Sequence, residues 1–222
     1  MDTDRYRPSA LYTTPLQFQI IEPRLYRGIF PTKENLSFLK TLQLKTIITI
    51  LPEEYDIKEE SPYYQKFIDD NKIELRQFVG DMKWKAKNKD KKVKKEKKNK
   101  TQEDVKRRDK TVGVSVDEIY KIMDIVTDAE KYPIFIHDLT NETITPLVVA
   151  VFRKFAYWNL VSVLDEFIKY SGSVNIHERK FIEEFPIKPL TIKNEIADKE
   201  EAAEDSLHSN LKVTAWIRRI GK

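Results

Sequence analysis

YPIFIHDLTNETITPLVVAVFRKF, residues 132–155, decides how the rest of the chain is read. Pro133 to His137 is a short apolar run of β-forming type, and Thr145-Pro146 opens an apolar stretch with helical periodicity. Thr145 is expected as the N-cap and Pro146 as the first helical residue, where its missing N–H costs nothing. A strand that feeds a helix N-terminus aims several backbone N–H groups and the positive end of the helix dipole at one point, where phosphate sits readily. Yet the connecting segment has neither glycine nor a basic residue, and its centre offers Asp138 and Glu142.

Upstream, PLQFQIIEPRLYRGIF (15–30) holds two short β-rich runs broken at Glu22-Pro23, a turn-forming pair. A helix is predicted from about Thr32 to Thr41, capped by Thr32, with Leu36, Leu39 and Leu42 on one side. The run Leu44 to Leu51 is continuously apolar and β-branched, as expected of a strand covered on both faces. Ser61 and Pro62 open a second predicted helix, and IELRQFVG (73–80) alternates like another strand. In SVDEIYKIMDIVTDAEKY (115–132), Ser115 and Glu118 form a capping box, and Val116, Ile119, Tyr120, Met123 and Val126 mark one helix face. With PIFIH as the next strand and two helices after it, the alternation predicts an α/β fold whose central sheet is mostly parallel and flanked by helices.

The charge is unevenly placed. The chain of 222 residues has a formal net charge of +4, but Lys83 to Lys110 alone holds fifteen Lys and Arg against five Asp and Glu, a local +10. The remainder is therefore −6. A run as poor in apolar residues as KWKAKNKDKKVKKEKKNK (83–100) cannot bury enough surface to offset its ordering entropy, so it is expected to be a solvated insertion. Lys91, Lys92, Lys94, Lys95, Lys97 and Lys98 make it a candidate arm for an acidic or phosphate-rich partner, or a nuclear-import signal. Only Trp84 is available there for base stacking, which weakens a nucleic-acid reading. Zero cysteines exclude disulfides, thiolate metal sites and a cysteine nucleophile. Neither an apolar run long enough for a membrane span nor a leader-like N-terminus is evident, so a soluble, cytoplasmic protein without a membrane partner is expected.

Three stretches carry a resemblance to a known family: LYRGIFPTKENLSFLKTLQLKTIITILPEEY (25–55), PIFIH (133–137) and RKFAYWNLVSVLDEF (153–167). They closely resemble the plant and fungal atypical dual-specificity phosphatases, whose yeast members are the oxidant-induced cell-cycle arrest proteins. The resemblance runs from about Leu16 to Phe185 and leaves out the lysine-rich insertion. It implies a cysteine-phosphatase fold, activity on phosphotyrosine or inositol pyrophosphates in active members, and assembly of several members into a complex. It also implies the division of the chain into an N-terminal extension (1–15), a phosphatase-like domain (16–186) with an insertion at 82–112, and a C-terminal tail (187–222).

The activity does not carry over with the fold. In active members a His-Cys is followed by a loop with glycine, lysine, histidine and arginine. That pattern falls here on His137, Asp138, Asn141, Glu142, Thr143 and Ile144, and only His137 and Thr145 match it. The thiolate that attacks phosphorus and the arginine that grips its oxygens are both replaced. A carboxylate at Asp138 would repel a phosphate by about 4 kcal/mol at 4 Å and an effective dielectric near 20. Asp138 as a phosphoryl acceptor would need magnesium and further carboxylates, which Glu142 alone does not supply. The expected reading is a pseudophosphatase without cofactor or metal, in which Asp138 caps the amides that phosphate would otherwise occupy, and which assembles with related phosphatase-like subunits. Residual phosphatase activity and polyphosphate or nucleic-acid binding through the insertion are the alternatives.

Among the remaining polar and aromatic residues, His137 is read as a buried, hydrogen-bonded residue, and Trp158, Asp165 and Glu166 as packing and capping residues. Asp81 stands where the family's acid-bearing loop begins, and His177 and His208 are isolated. In the tail, an acidic stretch expected to be poorly ordered leads to LKVTAWIRRI (211–220), where Val213, Trp216, Ile217 and Ile220 recur at helical spacing. Trp216 is its candidate anchor, for this protein's own surface or for a groove on a related subunit.

Overall fold

The computed structural model describes residues 12–81 and 112–187. The expected α/β architecture is present: a five-stranded sheet in the order β1-β2-β5-β3-β4. Its strands are β1 (Gln19–Glu22), β2 (Leu25–Ile29), β3 (Thr46–Leu51), β4 (Glu74–Val79) and β5 (Ile134–Asp138). Only the β1–β2 hairpin is antiparallel; β2–β5, β5–β3 and β3–β4 all pair in parallel. Every residue of β3 and β5 is buried, as continuous apolar runs at the centre of a doubly covered sheet must be.

One face of the sheet is covered by α1 (Leu36–Thr41), α2 (Ile57–Glu60) and α3 (Pro62–Asp70). Leu39, Ile57, Tyr64, Phe67 and Ile68 pack there on Ile47, Leu51 and Phe135. The other face carries α4 (Val116–Val126), α5 (Thr145–Phe155), α6 (Leu160–Ser171) and α7 (Ile176–Glu184). Ile119, Ile122, Met123, Leu147, Val151, Val163, Phe167 and Ile182 join Ile48, Ile50, Ile134 and Ile136 in this larger core. Helix α5 is the central one. All its residues but Lys154 are buried, which explains why its apolar run shows so little polar relief.

Several local expectations change in detail. The helix predicted over 32–41 is a one-turn helix at Lys33–Asn35 followed by α1, with Thr32 and Asn35 capping each other reciprocally. Ser61 precedes α3 but does not cap it, since its hydroxyl pairs with that of Tyr55 at 3.0 Å. Helix α2, capped by Asp56, is an additional element. Three helices follow β5 rather than two; the third, α7, is short and charged and starts from an Asn175–Glu178 capping box. The Ser115–Glu118 box of α4 forms as expected. The lysine-rich insertion lies outside the described residues, but its ends meet: the Asp81 amide donates to the Gly113 carbonyl at 2.7 Å. Val112 and Val114 anchor the returning end in the core.

Candidate functional site

The loop between β5 and α5 wraps around one carboxylate. Asp138, the last residue of β5, is fully buried. Its Oδ1 accepts the amides of Thr140, at 2.9 Å, and of Asn141. Its Oδ2 accepts those of Ile144, at 3.0 Å, and Thr145, at 2.8 Å. Four backbone donors thus converge on one anion at the N-terminus of α5, the arrangement expected when a helix end must satisfy its free amides.

This geometry corrects the expected role of Thr145. Helix α5 begins at Thr145 itself with Ile144 in the N-cap position, and no local side chain caps it. The Thr145 hydroxyl is buried and makes no hydrogen bond. The cap comes from Asp138, at a sequence separation too large for a cap-box pattern to reveal.

The other loop positions fall into place around that carboxylate. Asn141 is buried with φ of 55°, a left-handed conformation that explains why glycine suits this position in the resembling family. Its side-chain amide donates to the Gln17 carbonyl at 3.4 Å, so the segment preceding β1 braces the loop. Ile144, at the position of the expected arginine, is completely buried in the larger core. Thr143 is also buried, and Glu142 points to solvent. The loop therefore presents no basic side chain.

Behind the loop, His137 is fully buried among the rings of Phe30, Tyr64 and Phe135. Its Nε2 lies 2.9 Å from the Tyr64 hydroxyl. Burial lowers its pKa from 6.5 to about 3, only partly offset by the Asp138 main chain, so the imidazole is neutral. That hydroxyl shares the hydrogen bond with the imidazole, and burial raises the Tyr64 pKa well above 10. Tyr64 was not singled out by the sequence; its place in an apolar helix face, facing a strand-end histidine, is set by tertiary contact alone.

A second buried cluster lies on the α5–α6 side. Arg153 donates from Nη1 to Glu22 at 2.7 Å, from Nε to Glu166 at 2.8 Å and from Nη2 to the Ile21 carbonyl at 3.0 Å. Trp158 covers its guanidinium at 4.0 Å from the ring centroid. Trp158 thus serves packing, as the sequence indicated, whereas Glu166 pairs with the Arg153 charge rather than capping a helix and Asp165 is exposed. Arg27 of the LYRG stretch is fully buried and sits 3.2 Å from the Tyr170 ring centroid, with no ion pair among the described residues. Asp81 lies at the neck of the insertion, and His177 in the first turn of α7. His208, Trp216 and the lysines at 91, 92, 94, 95, 97 and 98 lie outside the described residues.

Among those described residues no group of His, Asp or Glu is placed to hold a metal ion, and no helix is long and apolar enough to cross a membrane. The model of the tyrosine phosphatase family matches residues 12–204. The chain belongs to that family. It is 39% identical over 187 residues to "Putative tyrosine-protein phosphatase OCA6" of Saccharomyces cerevisiae, covering 82% of this chain and 77% of that one. Against inositol diphosphatase DSP3 of Arabidopsis thaliana the identity is 31%, over 86% of this chain and 79% of the relative. The catalytic core of the S. cerevisiae PP-IP phosphatase SIW14, solved with citrate, superposes with a TM-score of 0.60 at 23% identity, covering 79% of this chain and 89% of that one. The cysteine-phosphatase fold expected from the sequence is therefore the fold of this family member.

Proposed function

We propose that this chain is a catalytically inactive member of the tyrosine phosphatase family, a pseudophosphatase that acts as a structural or regulatory subunit beside active relatives. The observation that carries the reading is the Asp138 carboxylate, which takes the Thr140, Asn141, Ile144 and Thr145 amides that a phosphoryl group would need. A substrate would have to displace a buried anion from four donors and then do without an arginine, since Ile144 stands in its place. Loss of even one preorganised donor at a phosphoryl or oxyanion site costs about 2.7–4 kcal/mol of transition-state stabilisation.

The relatives include proteins named as inositol diphosphatases and tyrosine-protein phosphatases, so both substrate types belong in the test. Purified protein should hydrolyse neither aryl phosphates, phosphotyrosine peptides nor inositol pyrophosphates above a denatured control, with or without magnesium. Turnover that is abolished by Asp138→Asn would establish a working enzyme instead. Asp138→Cys alone should remain inactive, because the arginine is still missing. The subunit role is tested by purifying the native protein and identifying what accompanies it; recovery without any family member would remove that part of the reading.

A further inference from the structure

The two edges of the sheet are built differently. Strand β1 is four residues long and breaks its register between Ile20 and Glu22, an irregularity that blunts an edge. Strand β4 is six residues long, pairs with β3 without a break and contains neither proline nor glycine. The amides of Glu74 and Gly80 donate to the carbonyls of Lys45 and Leu51 at 2.8 and 2.9 Å, so every second residue between them turns its N–H and C=O toward β3. Those of Leu75, Gln77 and Val79 therefore point outward, where β4 has no neighbouring strand among the described residues.

The side chains alternate as well. Arg76 and Phe78 face α4 and line, with Glu118, Lys121 and Ile125, a groove of about 430 Å³. Arg76 is already paired with Glu74, so its charge is balanced. On the other face Leu75 packs on the smaller core and Val79 is 46% exposed. Gln77 lies exposed between them and makes one long bond, 3.5 Å, to the Tyr55 carbonyl.

We propose that β4 is the interface of a symmetric dimer, in which β4 of a second copy pairs antiparallel with it and joins the two sheets into one. Only outward-pointing residues can exchange main-chain bonds across the edge, which restricts the register. A dyad on Gln77 uses every outward group: Leu75 meets Val79 of the second copy, Gln77 meets Gln77, and Val79 meets Leu75. On one face this covers Val79 with Leu75. On the other it sets Phe78 of one copy beside Arg76 of the other at the mouth of the groove, a cation–aromatic pair made twice by symmetry. The neighbouring registers are poorer. A dyad on Arg76 opposes two arginines, and one on Leu75 leaves Val79 uncovered. A dyad on Phe78 sets Leu75 against Asp81, whose amide is already taken by Gly113. In the Gln77 register the two Gly80 residues, beyond which the basic segments begin, lie about 20 Å apart, well past the screening length of about 8 Å at physiological salt. This inference rests on the sheet edge and is independent of the chemistry of the loop.

The absence of cysteine makes the test clean. In the full chain, Gln77→Cys introduces a single thiol whose Cα lies about 5.5 Å from its symmetry mate, within reach of a disulfide. Val79→Cys places an equally accessible thiol on the same edge about 14 Å from its mate, out of reach. Under mild oxidation the first variant should form a disulfide between chains at least about tenfold faster than the second. In sedimentation equilibrium over a range of concentrations the parent should follow a monomer–dimer equilibrium. Gln77→Pro, which removes an outward N–H and no bond to β3, should weaken that association about tenfold or more. Gln77→Lys, which opposes like charges at the dyad without touching the main chain, should weaken it severalfold. A parent that stays monomeric, association unchanged by Gln77→Lys, or equal linkage of the two cysteine variants would overturn the proposal.

Discussion

Asp138 Oδ2 lies 2.8 Å from the amide nitrogen of Thr145, seven residues along the chain, so the helix that follows the loop is capped from the strand that precedes it. In a strand–loop–helix unit built to receive an anion, the anion here is part of the chain. The helix dipole and the converging amides that favour phosphate favour a carboxylate for the same reason.

Removing that carboxylate should weaken the fold. Asp138→Ala leaves four amides without their acceptor, and because bonds to charged groups are worth about 1.5–3 kcal/mol each, a loss of at least about 3 kcal/mol is expected. Asp138→Asn keeps one acceptor oxygen but turns an amino group toward other donors, for a loss of about 2 kcal/mol. Urea unfolding measures both. An Asp138→Ala variant as stable as the parent would show that the carboxylate does not hold the loop.

His137 predicts a pH dependence with a definite sign. The unfolded chain takes up the proton near pH 6.5 and the folded chain only near 3, so between these values the unfolded state holds more protons. The contribution is complete above pH 6.5 and falls on acidification by about 1.4 kcal/mol per pH unit. His137→Gln should be shallower than the parent between pH 6 and pH 4 by about that slope. Tyr64→Phe should cost about 1–2 kcal/mol by leaving the buried Nε2 without its hydrogen-bond partner. Parallel pH profiles for parent and His137→Gln would contradict a buried neutral imidazole.

The Arg153 cluster should behave as a buried charge network. Arg153→Met abandons Glu22 and Glu166 together and should cost about 3–5 kcal/mol. Glu166→Gln should cost less, since Glu22 still pairs with the guanidinium. Thermal unfolding of the two single variants tests the ranking, and a milder effect from Arg153→Met would reverse it.

Asn141 is held at positive φ, so the backbone rather than the side chain sets its tolerance. Asn141→Gly should be within about 0.5 kcal/mol of the parent, because glycine relieves the left-handed strain and gives up one weak bond to Gln17. Asn141→Val should lose about 1–2 kcal/mol or more. Equal stabilities would mean that the loop relaxes out of this conformation.

Because Asp81 and Gly113 already meet, residues 85–108 can be replaced by a short Gly-Ser connection without straining the neck. The melting temperature should change little, while any binding of RNA or inositol polyphosphate should disappear in the shortened chain and, in the parent, weaken steeply with salt. A large fall in melting temperature would make the insertion structural, and binding that persists would place the anion site elsewhere.

Legibility in the sequence followed how local the physical signal was. The doubly covered β3, the capping box of α4 and the strand–loop–helix unit at 132–155 were readable because periodicity, β-branching and cap chemistry act over a few neighbouring residues. The replacement of cysteine and arginine by Asp138 and Ile144 was equally plain, since it needs only residue identities at fixed spacing. Helix α7 escaped because it is short and strongly charged, and Thr145 was misassigned as the N-cap of α5, although Asp138 as the acceptor of the loop amides was legible in the same stretch. Only the tertiary structure brought Tyr64 to His137, Glu22 and Glu166 to Arg153, and Gln17 to Asn141. Those contacts join elements far apart in the chain, so no local pattern encodes them. They arise when the sheet closes and buried polar atoms must find partners among whatever the fold has brought near.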